Sequence, residues 1–157
     1  MPGIKYFPTD TKIENKIILL RLDLNVPLKD KKIQDDTRIV QALSFLDYLV
    51  QKKAKIVVIS HLGRPEGSRD KNLSLMPIYK YLKEKLETNI YFFTGEINNE
   101  TRNKVSYLKS SEILLLENIR FHKGEEEDDE NFASNLASLG EIYVNNAFSC
   151  SHRKQAS

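Results

Sequence analysis

Five stretches, residues 17–24, 55–60, 89–94, 112–117 and 141–147, are runs of Ile, Leu, Val and aromatic side chains with few polar interruptions. A short apolar run without strict alternation reads as a strand covered on both faces, because a strand with one wet face alternates. Between these runs the period lengthens. Over residues 36–52, Ile39, Ala42, Leu43, Leu46, Leu49 and Val50 recur at helical spacing behind Asp35 and Asp36, two candidate caps. Further helices are predicted over 75–86, with Ser74 as N-cap and Pro77 in the first turn, over 100–108, and over 129–139 with Gly140 as the stop.

Strand and helix thus alternate. With right-handed crossovers, that order predicts an α/β fold, a Rossmann-like three-layer αβα sandwich with a mainly parallel sheet. The 157 residues make one domain, and no repeat or linker divides them. Residues 62–72 hold Gly63, Pro65 and Gly67 and form a connection long enough to imply function or mobility.

Composition changes this picture in two places. The net charge is only +2, from 24 basic and 22 acidic residues, so any anion site must come from local arrangement and not from bulk charge. The single cysteine, Cys150, excludes an intramolecular disulfide and a thiolate zinc cluster, as expected in a reducing compartment. No apolar stretch has the form of a signal peptide or the length of a membrane span, so the expected location is cytoplasmic with no membrane partner.

In open parallel sheets, ligands sit outside the carboxyl ends of the strands. There the first run delivers Asp23 and Asn25, with Arg38 in the first turn of the next helix. The second delivers His61 and Arg64, the fourth Arg120, His122 and Lys123, and the fifth His152 and Arg153. Arginine forks on one rim suit a small ligand with several negative groups, although each arginine is also compatible with a solvated surface position. Asp23 and Asn25 fall on one side of an extended backbone, where they can orient a hydroxyl; the alternative is a pair of turn residues closing a strand before Pro27.

Several chemistries lack their signature. There is no G-x-x-x-x-G-K-[ST] or G-x-G-x-x-G loop for a nucleotide and no G-x-S-x-G elbow for a hydrolase. The acidic run from Glu125 to Glu130 reads as a solvated helix start favoured by the helix dipole, and no metal site is expected. The rim is basic where a receiver-like signalling domain needs carboxylates, and it lacks the interleaved aromatics of a nucleic-acid binder.

Arg21-Leu22-Asp23-Leu24-Asn25-Val26-Pro27 resembles the R-x-D-x-N-x-P signature of the phosphoglycerate kinases. Asp35-Asp36-Thr37-Arg38, Ser60-His61-Leu62-Gly63-Arg64-Pro65, Leu116-Glu117-Asn118-Ile119-Arg120-Phe121 and Ala147-Phe148 with His152-Arg153 resemble that family's other substrate-side motifs, in the same order. The resemblance implies that Asp23, Asn25, Arg38, His61, Arg64, Arg120 and Arg153 bind 3-phosphoglycerate or 1,3-bisphosphoglycerate, with Arg38 as the catalytic contact to the moving phosphoryl group. It also implies a monomer whose residues 1–157 are the N-terminal, substrate-binding domain, cut before the domain that holds Mg-ATP or Mg-ADP. On that reading the isolated chain is inactive; the rival is a stand-alone module that binds 3-phosphoglycerate without catalysis. Asn146, Ser149-Cys150-Ser151 and Lys154-Gln155 depart from the family pattern near the carboxyl end.

Overall fold

The computed structural model describes residue 7, residues 10–147 and residues 155–157. Strands β1 (Ile17–Leu22), β4 (Lys55–Ile59), β5 (Ile90–Phe93), β6 (Ile113–Leu116) and β7 (Ile142–Asn146) form one sheet in the order β5-β6-β4-β1-β7. Every neighbouring pair is parallel, and β1 sits between β4 and β7 with Arg21 opposite Ile59 and Asn145. The connections carry helices α1 (Thr37–Gln51), α2 (Met76–Lys85), α3 (Asn99–Ser106), α4 (Lys123–Glu126) and α5 (Glu130–Ala137).

Strand alternation divides the core in two. Ile18, Leu20 and Leu22 of β1, with Ile56 and Val58 of β4 and Ile113 and Leu115 of β6, pack on Ile39, Leu46 and Leu49 of α1 and Ile78 and Leu82 of α2. On the other face Leu19, Val57, Ile59, Leu114 and Leu116 meet Val105 of α3 and Leu136 of α5. Helices therefore cover both faces, which makes the three-layer α/β sandwich. Burying each such side chain contributes about 1.5–3 kcal/mol, so the two clusters hold the sheet and its carboxyl edge in place.

The structure departs from the sequence reading where tertiary position matters. Only the three central strands are covered on both faces; at the edges, Tyr91 of β5 is 46% exposed and Tyr143 of β7 is 50% exposed. A strand with a single neighbour keeps part of its surface in water, however apolar its run. A small antiparallel hairpin, β2 (Leu28–Lys29) with β3 (Lys32–Ile33), escaped the periodicity because each arm has two residues. Its turn, Asp30-Lys31, has positive φ at both positions (50° and 61°), the twist that two-residue hairpins require.

The caps are also reassigned. Asp36 stands at the N-cap of α1 without a capping bond, its Oδ2 accepting instead from the Tyr81 hydroxyl at 2.6 Å, while Asp35 Oδ1 accepts from Thr37 N. Leu75, not Ser74, is the N-cap of α2, and the Glu117 carboxylate at the end of β6 accepts from Leu75 N (2.8 Å) and from the Ser74 hydroxyl (2.7 Å). Gly140 is not a left-handed helix cap, since α5 closes at Ser138. It is glycine because a Cβ there would stand 2.9 Å from Leu19 N, where the chain turns tightly past the start of β1.

The acidic run is divided. Glu125 and Glu126 lie in α4, and Asp129 caps α5 by accepting from Phe132 N at 2.6 Å. The expectation of a solvated helix start fails at Glu125, which is fully buried, for a reason given below. It holds for Asp129, and Asp129→Ala is expected to lower stability by about 1 kcal/mol in denaturant titrations through loss of the cap.

Candidate functional site

Beyond the carboxyl end of β1 the chain turns: Asp23 Oδ1 accepts from Asn25 N at 3.2 Å and Leu24 O accepts from Val26 N at 2.9 Å. Leu22 and Leu24 are buried in the core, while Asp23 and Asn25 are half-buried. Ser60, at the end of β4, fastens this segment: its hydroxyl accepts from Leu24 N at 3.1 Å and donates to Leu22 O at 2.8 Å. Two adjacent strand ends are thereby locked together where Asp23 and His61 leave the sheet.

Arg38, in the first turn of α1, reaches back to that segment. Its Nη1 donates to both carboxylate oxygens of Asp23, at 2.9 and 3.0 Å, and to Asn25 O at 3.1 Å. The side chain is 46% exposed and none of these bonds uses its Nη2 or Nε, so one edge is fixed and the other stays available. Asn25 in turn accepts from Gly63 N through Oδ1 at 3.0 Å. Gly63 has φ of 62°, which lets the chain reverse directly after His61-Leu62 and brings its carbonyl to Arg120 Nη1 at 3.0 Å.

Arg120 sits on a 3-10 turn, Ile119–Phe121, that follows β6. Asn118 shapes this turn. Its Oδ1 accepts from Arg120 N (3.1 Å), and its Nδ2 donates to Leu62 O (2.7 Å) and Leu73 O (2.9 Å), so one buried amide grips both ends of the 62–72 loop. The loop is fastened again at Gly67 N, which donates to Arg120 O at 3.2 Å, and at Arg69, whose Nη2 is 3.1 Å from Glu96 Oε1. Glu96 also meets His122 Nδ1 at 3.0 Å. The Arg69 hydrogen bond holds the Glu96 carboxyl below the usual range, and burial pushes the His122 imidazole down against the pull of Glu96.

Arg38, Asp23, Asn25, Gly63 and Arg120 are thus joined by one chain of hydrogen bonds across the ends of β1, β4 and β6. His61 is buried beside them at the end of β4, and Arg64 is exposed one residue beyond Gly63. Arg153, the remaining rim residue expected from sequence, lies outside the described residues, as do Cys150 and His152.

One further cation beside the site was not singled out from sequence. Arg21, inside β1, is 1% exposed, and its Nη1 lies 3.1 Å from Oε1 of the fully buried Glu125 in α4. Burial pushes the Glu125 carboxyl above the usual range, opposed by the Ser157 hydroxyl that it accepts from and by the Arg21 charge. The available signal was an arginine within a run otherwise apolar on both faces, which demands a buried partner. Among the described residues, no group of three or more His, Cys, Asp or Glu forms a metal site, and no helix is long and apolar enough to cross a membrane.

Residues 9–157 match the family model described as "Phosphoglycerate kinase". The chain is 50% identical over 145 residues to the phosphoglycerate kinase of Wolbachia sp. subsp. Drosophila simulans (strain wRi), covering 92% of this chain and 36% of that protein. It is 46% identical over 149 residues to the phosphoglycerate kinase of Orientia tsutsugamushi (strain Ikeda), covering 95% and 37%. Among solved structures it is similar to phosphoglycerate kinase from Coxiella burnetii, with TM-score 0.85 and 37% identity over 95% of this chain and 37% of that one. The corresponding values for the enzyme from Pyrococcus horikoshii OT3 are 0.82, 32%, 94% and 38%. The chain therefore spans little more than a third of the length of the relatives it matches.

Proposed function

The chain belongs to the phosphoglycerate kinase family, and from that premise we propose that it is the family's 3-phosphoglycerate-holding domain. The reaction it serves is the reversible transfer of a phosphoryl group between ATP and the carboxylate of 3-phosphoglycerate, giving 1,3-bisphosphoglycerate and ADP. The observation that carries the reading is the hydrogen-bonded chain from Arg38 through Asp23, Asn25 and Gly63 to Arg120. It presets cations and a hydroxyl-orienting pair around the ends of three strands, the residue types that suit a small anion. Magnesium and nucleotide are assigned to the family's second domain, in keeping with the absence of either nucleotide loop motif from the sequence. The setting proposed is glycolysis in the cytoplasm, with a monomer as the working unit.

The division of labour follows from charge. A carboxylate acceptor is already ionised near neutral pH, so no general base is needed and the residues act by positioning and charge stabilisation. Arg64, Arg120, His61 and Arg153 take the substrate's phosphate, while Asp23 and Asn25 align its hydroxyl and carboxylate end. Arg38 is clamped to Asp23 by a single nitrogen and presents its remaining edge to the phosphoryl group in flight.

Titration of the chain with 3-phosphoglycerate, followed by amide shifts, tests this. Binding is expected to weaken with added salt and to shift Gly63 and the 119–121 turn. Arg64→Ala and Arg120→Ala should each weaken it by about 1.5–3 kcal/mol, the range for hydrogen bonds to charged groups. Parent-like affinity in both variants places the phosphate elsewhere.

A further inference from the structure

The residues assigned to the substrate do not include the most deeply buried charges among the described residues. Arg21 and Glu125 are separated by 104 residues, are 1% and 0% exposed in their side chains, and meet at 3.1 Å in an end-on bond. Each keeps a second polar atom, Arg21 Nη2 and Glu125 Oε2, that makes no hydrogen bond among the described residues. A buried pair of this kind repays its desolvation poorly and is a weak way to gain stability. What it specifies is position, because it ties α4, four residues long, to β1, an inner strand of the sheet.

The adjacent carboxylate has a different partner. Glu126 Oε1 stands 3.9 Å from Nε of Arg120, itself 3% exposed. Helix α4 therefore presents two consecutive carboxylates, Glu125 bonded to the β1 cation with Arg120 also in electrostatic reach, and Glu126 toward Arg120, the cation placed at the substrate's phosphate. The helix begins directly after the turn that bears Arg120, with His122 as its N-cap and His122 N donating to Ile119 O. So short a helix cannot hold its own place. Its register relative to the sheet depends on what anchors it.

We propose that Glu125 is a positioning residue: by satisfying Arg21 inside the fold it fixes α4, keeps Glu126 beside Arg120, and so sets the aim of the Arg120 guanidinium. Without the Glu125 charge, Arg21 becomes a buried cation in need of a carboxylate, and Glu126 is the next one along the same short helix. Capture of Glu126 by Arg21 would turn α4 and take Glu126 from Arg120 Nε, while Arg120 Nη1 keeps its bond to Gly63 O. The proposal rests on the assignment of Arg120 to the substrate's phosphate, but its structural half does not.

Two readouts on the 157-residue chain separate these parts. The side-chain Nε–Hε resonance of Arg120 reports its surroundings without ligand, and titration with 3-phosphoglycerate reports binding. In Glu125→Gln, close in shape but neutral, the Arg120 resonance is expected to move and affinity to fall about tenfold, within the span of coupled neighbouring sites. In Glu125→Asp, which keeps the charge, both should stay nearer the parent values. A folded Glu125→Gln chain with an unmoved Arg120 resonance and parent-like affinity would overturn the proposal. If Glu125→Gln does not fold, Arg21→Lys serves, since a displaced cation should still shift Arg120, and an unmoved resonance there overturns the proposal equally. Failure of the parent chain to bind 3-phosphoglycerate, with Arg120 still responding to Glu125, would remove the substrate assignment and leave the positioning role standing.

Discussion

Asn118→Ala is expected to destabilise the chain by about 3–5 kcal/mol and to weaken 3-phosphoglycerate binding more than either single arginine replacement. The side chain is fully buried and makes three bonds to backbone groups: Leu62 O, Leu73 O and Arg120 N. Alanine leaves two buried carbonyls and one buried amide without that partner, each costing about 1–3 kcal/mol. The loss is not confined to stability, because the same amide fixes both ends of the 62–72 loop and the turn that carries Arg120. Chemical denaturation of the parent and variant gives the first number, and titration under conditions where both are folded gives the second. A stable variant with parent-like affinity would show that the bonds at Gly63, Gly67 and Arg69 suffice to hold the loop.

The largest effect on chemistry is expected at Arg38. When the chain acts together with a nucleotide-holding domain of the family, Arg38→Ala should lower turnover by about 10²–10³, the cost of removing one preorganised donor to developing charge. Substrate affinity should fall far less, since an interaction made mainly in the transition state appears in the rate constant. The variant also takes from Asp23 its contact with Arg38, which in the parent it holds by both oxygens. Asp23→Asn provides the comparison: it keeps the arginine but weakens its clamp, and should lower turnover less than Arg38→Ala. Steady-state kinetics of the three proteins at saturating 3-phosphoglycerate decides the matter, and near-normal turnover in Arg38→Ala removes the residue from its assigned role.

Much of the site was legible as strand ends. An apolar run that stops at Asp23 and Asn25, another that stops at His61 and a third that stops ahead of Arg120 place those residues on one edge once the sheet is known to be parallel. The groups that hold them were harder to see. Ser60, Glu117 and Asn118 are small or acidic residues closing apolar strands, and nothing local distinguishes a fastening side chain from an ordinary turn residue. Glu125 was misread outright, because an acidic run before a helix has the composition of a solvated cap, and the five residues that follow it are acidic too.

The sequence by itself determined the alternation of strands and helices, the parallel sheet that this order requires, and the chemical types presented at its carboxyl edge. These follow from periodicity and from the geometry of crossovers, which act over tens of residues at most. Tertiary structure alone decided that β5 and β7 are edges, that Gly140 is required by the backbone of Leu19, and that Arg21 finds its counter-charge in Glu125. In each case the deciding contact joins segments far apart in the chain. Burial then converts that contact into an obligation, since a charge or a backbone group removed from water must find its partner wherever the fold has brought one.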